Sequence, residues 1–154
     1  MNDMICRAIG TIRVQGGLCM VELLPAYIPA LKGLEEYGHL HLLWWFDGSD
    51  TPASRSRLLV KQPSGQAPGM MGVFATRTPH RPNPIALGTA RILWVDHRNG
   101  RIRIDQTDAR DGTPVLDIKP YAPGNDRVER PTGPCWQRGW AKSYEESRAR
   151  EKGE

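Results

Sequence analysis

The chain has 154 residues, 39% of them hydrophobic, with 21 Lys or Arg against 17 Asp or Glu and hence a net charge of +4 at neutral pH. That length and apolar content support one domain with a real core and exclude a disordered or fibrous chain. Sixteen Gly and 13 Pro, roughly a fifth of the residues against an average of roughly 12%, announce a backbone rich in turns.

The longest apolar run, Leu42 to Phe46, falls far short of the roughly 18 residues of a membrane span. Met1-Asn2-Asp3-Met4 carries an acid and lacks the basic start of a signal peptide, so the expectation is a cytoplasmic protein. Three cysteines at scattered positions read as reduced thiols and not as a disulfide framework. Cys6 and Cys19 are expected to be buried as small hydrophobes.

In chain order, Ala8 to Val14 and Leu18 to Leu24 surround Gln15-Gly16-Gly17 and predict a hairpin with a Gly-Gly turn. Pro29 to Glu36 predicts two helical turns ahead of Tyr37-Gly38. His39 to Phe46, nearly all apolar and closed by Asp47-Gly48, reads as a strand buried on both faces. Gln62 to Met71, with Gly65, Pro68 and Gly69, reads as an exposed mobile loop, and Val73 to Ala75 as a short strand. Arg91 to Val95 and Arg101 to Asp105 flank Asn99-Gly100, the strongest hairpin signal in the chain. Gly133 to Lys152 could hold a terminal helix with Trp136 and Trp140 on one face and a Glu146–Arg150 pair. Short strands, many turns and little helix argue for a β-barrel or a compact β-sandwich.

Charge is unevenly distributed. Between Arg55 and Arg103 there are nine basic residues and one acid, Asp96, an excess of +8 that leaves −4 for the remainder. Such a block suits a polyanion or an anionic ligand, or equally a solvated arginine face. Within it, Gly72 to Ile85 reads GVFATRTPHRPNPI, with Pro79, Pro82 and Pro84 inside six positions. Each proline fixes φ and removes a donor, so the loop is stiff and presents Arg77, His80 and Arg81 at little ordering cost. Arginine forks in such a frame suit a carboxylate or phosphate.

A second segment, Asp111 to Tyr121, reads DGTPVLDIKPY. The Asp111-Gly112-Thr113-Pro114 turn could clasp a hydroxylated or cationic ligand with exposed amides and a carboxylate. Asp117 and Lys119 alternate with Leu116 and Ile118 and read chiefly as a solvent-side pair. His39 and His41 share a strand face, but no third ligand follows at metal-site spacing and no metal is expected. There is no Gly-x-Gly-x-x-Gly, no P-loop and no nucleophile elbow. The residues alone stop short of a reaction.

Those two motifs, with Ile9-Gly10-Thr11-Ile12 and Leu34 to Leu40 leading into Trp45-Phe46, closely resemble the TrmO family of S-adenosylmethionine-dependent tRNA methyltransferases. The resemblance spans about residues 8 to 123. It implies a mainly β fold: a single-sheet β-barrel with a short helix before the central strand and a C-terminal helix. Residues 1–123 would form the barrel domain and 124–154 an extension. It further implies a homodimer that uses S-adenosyl-L-methionine to methylate N6 of N6-threonylcarbamoyladenosine at position 37, in the tRNA anticodon loop. Cofactor contacts would fall on Phe46, Asp47, Arg77, Leu87, Asp111, Gly112, Thr113 and Pro114. Arg77 and Arg81 would take anionic groups, and Asp117 is a candidate base. The chain departs from the family in a shorter stretch between Arg13 and Leu31, and in Asp47, where a histidine is usual. A barrel that binds S-adenosylmethionine or nucleic acid without turnover, or that methylates another small acceptor, is the alternative.

Overall fold

A computed structural model describes residues 4–61 and 69–153. Six of its eight strands close a barrel in the order β1-β2-β7-β6-β3-β8. These are β1 (Gly10–Gln15), β2 (Leu18–Leu23), β3 (His39–Trp45), β6 (Ile85–Asp96), β7 (Arg101–Ile104) and β8 (Pro114–Pro120). Every pairing within the barrel is antiparallel. The remaining two, β4 (Leu59–Lys61) and β5 (Met70–Gly72), form a separate hairpin. Short helices α1 (Pro52–Arg55) and α2 (Pro123–Asp126) and a terminal helix α3 (Tyr144–Lys152) complete the chain.

Alternation builds the core. Ile12, Val21, Leu40, Leu42, Ile102, Ile104 and Val115, every second residue of their strands, are at most 1% exposed and fill the barrel, which is too narrow to hold a lumen. Leu31, on a 3-10 run over Pro25–Leu31, packs against this core. Gly16 and Gly17 take φ of +55° and +77°, the conformation that a two-residue hairpin with matched twist demands.

Several expectations need correction. β3 is buried on one face only; His39, His41, Leu43 and Trp45 on the other are half-buried. Pro29 to Glu36 forms 3-10 turns and no α-helix, because Pro29 sits inside the run and Gly33 breaks it at φ +89°. Val73–Ala75 is a 3-10 turn, the neighbouring strand being Met70–Gly72. The terminal helix begins at Tyr144, so Trp136, in the 3-10 turn Cys135–Gln137, and Trp140 both lie outside it, although their rings meet edge to face at 5.5 Å. Cys6 is exposed, whereas Cys19 is buried. Of the loop read at Gln62 to Met71, residues 62–68 lie outside the described residues and Met70 and Met71 pair in β5. Among the described residues no helix is long and apolar enough to cross a membrane.

Ser143 caps α3 by accepting the Glu146 amide at 3.1 Å, while Glu146 accepts the Lys142 amide. The helix docks through Tyr144, whose hydroxyl donates to Asp105 at 2.5 Å and accepts from the Arg91 amide at 3.2 Å. Burial, with the Asp105 hydrogen bond and charge, pushes the phenol up to about 12. A raised folded pKa gives stability that is complete below the ordinary value of about 10 and is lost as pH rises towards the folded one. Helix docking should therefore fail between about pH 10 and 12. In tyrosinate absorbance one of the four tyrosines should titrate late, and Tyr144→Phe should remove that late step.

Candidate functional site

The proline loop is held by its own side chains as well as by its prolines. Thr76 Oγ1 donates to the Val73 carbonyl at 2.9 Å and accepts the Thr78 amide, and Thr78 Oγ1 accepts the His80 amide. Arg81 reaches back to the Thr76 carbonyl at 3.3 Å. His80 Nδ1 meets the hydroxyl of the buried Ser54 at 2.9 Å and so ties the loop to α1. Pro84, fully buried, anchors the far end where β6 begins. His80 is thus a tether, and Arg77 is the loop's outward arm.

What Arg77 reaches is set by unequal strand lengths. β6 has twelve residues and its neighbour β7 only four, so β7 pairs with Ile92 to Asp96 and the first half of β6 has an open edge. Pro84 and Ile92 bond towards the β3 side, through the Phe46 amide and the Gly38 carbonyl. By alternation the backbone groups of Ile85, Leu87 and Thr89 point to the open edge. Arg77 Nη1 donates to the Leu87 carbonyl there at 3.2 Å. The Leu87 and Thr89 amides have no backbone partner among the described residues.

Along this edge runs a groove of about 630 Å³, inside the roughly 300–1,000 Å³ range of small-molecule sites. Leu42, Trp44 and Phe46 of β3 and Ile85 to Ala90 of β6 line it, with Phe74, Thr76, Arg77 and Arg81 from the loop side. Gln106, Thr107 and Asp108 follow β7, and Ser147 and Glu151 come from α3. Trp44 and Phe46 meet edge to face, ring centroids 6.1 Å apart. Gly88 leaves room for the indole: a Cβ there would lie 2.9 Å from the Trp44 ring. Neither Arg77 nor Arg81 pairs with a carboxylate among the described residues. The groove therefore combines an aromatic wall, open backbone donors and acceptors, and available guanidinium groups. That set suits a planar heterocycle carrying an anionic tail.

Of the residues singled out from sequence, Phe46, Arg77, Arg81 and Leu87 converge on the groove. Asp47 lies just beyond it, in the 3-10 turn Asp47–Ser49 after β3. Asp111 to Pro114 lie outside its lining and close the seam between β1 and β8. Asp111 Oδ1 accepts the Val14 amide at 2.9 Å, the Gly112 amide donates to the Ile12 carbonyl, and Thr113 is buried. Much of the hydrogen-bonding capacity read as ligand-facing is thus spent within the barrel. The two turns nonetheless adjoin, since Arg110 lies against Gly48.

Asp117 is also outside the groove. It pairs with Lys119 at 2.8 Å, and its hydrogen bond raises the Lys119 ammonium pKa. It borders a second cavity of about 560 Å³ with Leu31, Tyr37 and Ile118. His41 bonds Thr89 and Asp126, and His39 stacks edge to face on Tyr144. No group of three or more metal-ligating side chains is present among the described residues. Trp44, Thr89, Asp108, Ser147 and Glu151 carried no motif, and Phe74 enters only as part of the Gly72 to Ile85 stretch. The available signal for Thr89 was that the β-prone run before Arg91 extends back to Ile85.

Residues 10–127 match the model of the tRNA-methyltransferase O N-terminal domain. This chain belongs to the TrmO family. Its TrmO domain takes in all eight strands and the proline loop, while α3 lies beyond the matched residues. A probable S-adenosyl-L-methionine-binding protein of Archaeoglobus fulgidus is 43% identical over 109 residues, 70% of this chain and 27% of that protein. A putative S-adenosylmethionine-dependent methyltransferase, RcsF of Pseudomonas aeruginosa, is 42% identical over 110 residues, 70% of this chain and 46% of the relative. The crystal structure of TrmO from P. aeruginosa superposes with a TM-score of 0.67 at 32% identity, covering 88% of this chain and 62% of that one. The chain thus spans less than two thirds of each of these three proteins.

Proposed function

We propose that this chain is an S-adenosyl-L-methionine-dependent methyltransferase acting on N6 of N6-threonylcarbamoyladenosine at position 37 of tRNA. The observation that carries the reading is the groove on the open edge of β6, in a TrmO-family barrel whose relatives bear S-adenosylmethionine-binding and methyltransferase names. The residues present fit the cofactor. Phe46 and Phe74, with the buried Trp44 behind Phe46, offer aromatic surface for adenine, and the amides and carbonyls of Leu87 and Thr89 can read its edge. Arg77 and Arg81 suit a carboxylate, whether of the methionyl group or of the threonyl acceptor.

S-adenosylmethionine held there would supply a sulfonium methyl for an in-line nitrogen, with the thioether leaving neutral and the N6 proton released to solvent. The chain's contribution is then positioning: the proline loop and the Leu87 carbonyl hold Arg77 in place before ligand arrives, which lowers the ordering cost of a reactive geometry. Asp47 and the Asp111 to Pro114 turn support the Phe46 end of the site in this proposal. Asp117, engaged by Lys119 away from the groove, is left out of the proton transfer. A homodimer would pack on the exposed Leu58, Leu59 and Met70 at and beside the β4–β5 hairpin, and a tRNA substrate fits a cytoplasmic site of action.

The test is nucleoside mass spectrometry after incubating the protein with S-adenosylmethionine and tRNA that carries threonylcarbamoyladenosine. One added methyl on that nucleoside is the expected result. Cofactor binding without any methylated nucleoside would leave a binding barrel, the reading favoured if the S-adenosyl-L-methionine-binding names describe the whole activity.

A further inference from the structure

The terminal helix lies beyond the matched domain, yet two of its residues, Ser147 and Glu151, line the groove. Its placement is specific. Where β7 leaves β6, the Arg91 amide donates both to Asp105 Oδ1 at 2.9 Å and to the Tyr144 hydroxyl at 3.2 Å, so α3 docks where the open edge begins. One turn on, Arg148, whose side chain is only 20% exposed, donates to Gln106 Oε1 at 2.7 Å, lies 3.7 Å from Asp105 and bonds Glu151. Arg148 thereby fixes the side of α3 that carries Ser147 and Glu151 towards the Gln106 to Asp108 wall. Asp108, on that wall, is exposed and has no cationic partner among the described residues.

We infer that α3 is a wall of the ligand site and that Glu151, with Ser147, is a specificity-determining residue that reads the cationic or hydroxyl-bearing part of the ligand. The groove then presents both signs of charge on separate elements: guanidinium groups from the proline loop, carboxylates from α3 and the segment after β7. A ligand with an anion alone meets Asp108 and the Arg148-paired Glu151, chiefly the former, unfavourably, and one with a cation alone meets Arg77 and Arg81. A zwitterion satisfies both. The inference rests on the groove being the S-adenosylmethionine site.

The test is calorimetry on the full chain with S-adenosylmethionine and with adenosine, which lacks the charged tail, comparing wild type with Glu151→Gln. The variant should bind S-adenosylmethionine about tenfold more weakly, the scale of one charge-assisted hydrogen bond, and bind adenosine unchanged. Ser147→Trp, which places an indole in the wall, should weaken both ligands and keep the circular dichroism of the wild type. Unchanged S-adenosylmethionine affinity in both variants, or an equal loss for both ligands in Glu151→Gln, would overturn the specificity role while leaving the cofactor reading intact. A wild-type chain that binds neither ligand would overturn both.

Discussion

Arg77→Ala should weaken S-adenosylmethionine binding by roughly 10- to 100-fold, the cost of removing a charged hydrogen-bond donor from an anion, and should scarcely alter the stability of the ligand-free protein. The two halves of that expectation come from the same geometry. Arg77 is exposed, has no carboxylate partner among the described residues and makes one hydrogen bond, to the Leu87 carbonyl at 3.2 Å. Losing it should cost the apo-protein no more than about 0.5 kcal/mol, a shift of less than about 2 °C for a domain of this size. Calorimetric titration and thermal unfolding measured on the same preparation separate the two. A large fall in melting temperature would make Arg77 a structural staple, and an unchanged affinity would remove it from the site.

Gly10→Ala should have the opposite profile, with stability lost first. Gly10 has no left-handed φ to explain it; it is there for close approach. A Cβ at this position would lie 2.3 Å from the Glu22 carbonyl oxygen and 3.0 Å from Leu23 Cα, both backbone atoms. β1 cannot swing away, because Gly10 pairs with Leu23 on one side and Val115 on the other. Overpacking against backbone held on two sides should cost about 3 kcal/mol or more, or roughly 6–12 °C in melting temperature. Thermal unfolding by circular dichroism reads it directly, and a melting temperature within about 2 °C of wild type would show that the strand pair yields.

The local grammar of the barrel was legible where a short stretch decides a structure. Gly16-Gly17 specified a two-residue hairpin, Asn99-Gly100 marked the turn that joins β6 to β7, and the three prolines marked the loop that carries Arg77 and Arg81. Less legible was anything set by partners distant in sequence. The half-burial of the His39 face depends on Tyr121, Tyr144 and Asp126, which pack on it from the far end of the chain. The groove itself depends on β7 ending opposite Ile92, seven residues from the start of β6 at Ile85, a difference between two strands that no window around either one reveals.

One polar turn has a structural task beside the one its composition suggests. The Asp111 to Pro114 turn has the residues of a ligand clasp, and the barrel uses them to join β1 to β8. A polar turn satisfies whichever backbone groups it is brought against, and here these belong to β1. The +8 block divides likewise. Arg77 and Arg81 line the groove, whereas Arg101 pairs with Glu22 on the barrel wall and Arg55 with Asp50.

The central claim, that S-adenosylmethionine sits on the open edge of β6, is tested most directly by amide hydrogen exchange with and without the ligand. Leu87 and Thr89 should exchange freely in the apo-protein and gain protection on binding, together with the segment from Thr76 to Thr78. Protection confined to the second cavity around Leu31 and Tyr37, with the β6 edge unchanged, would contradict it.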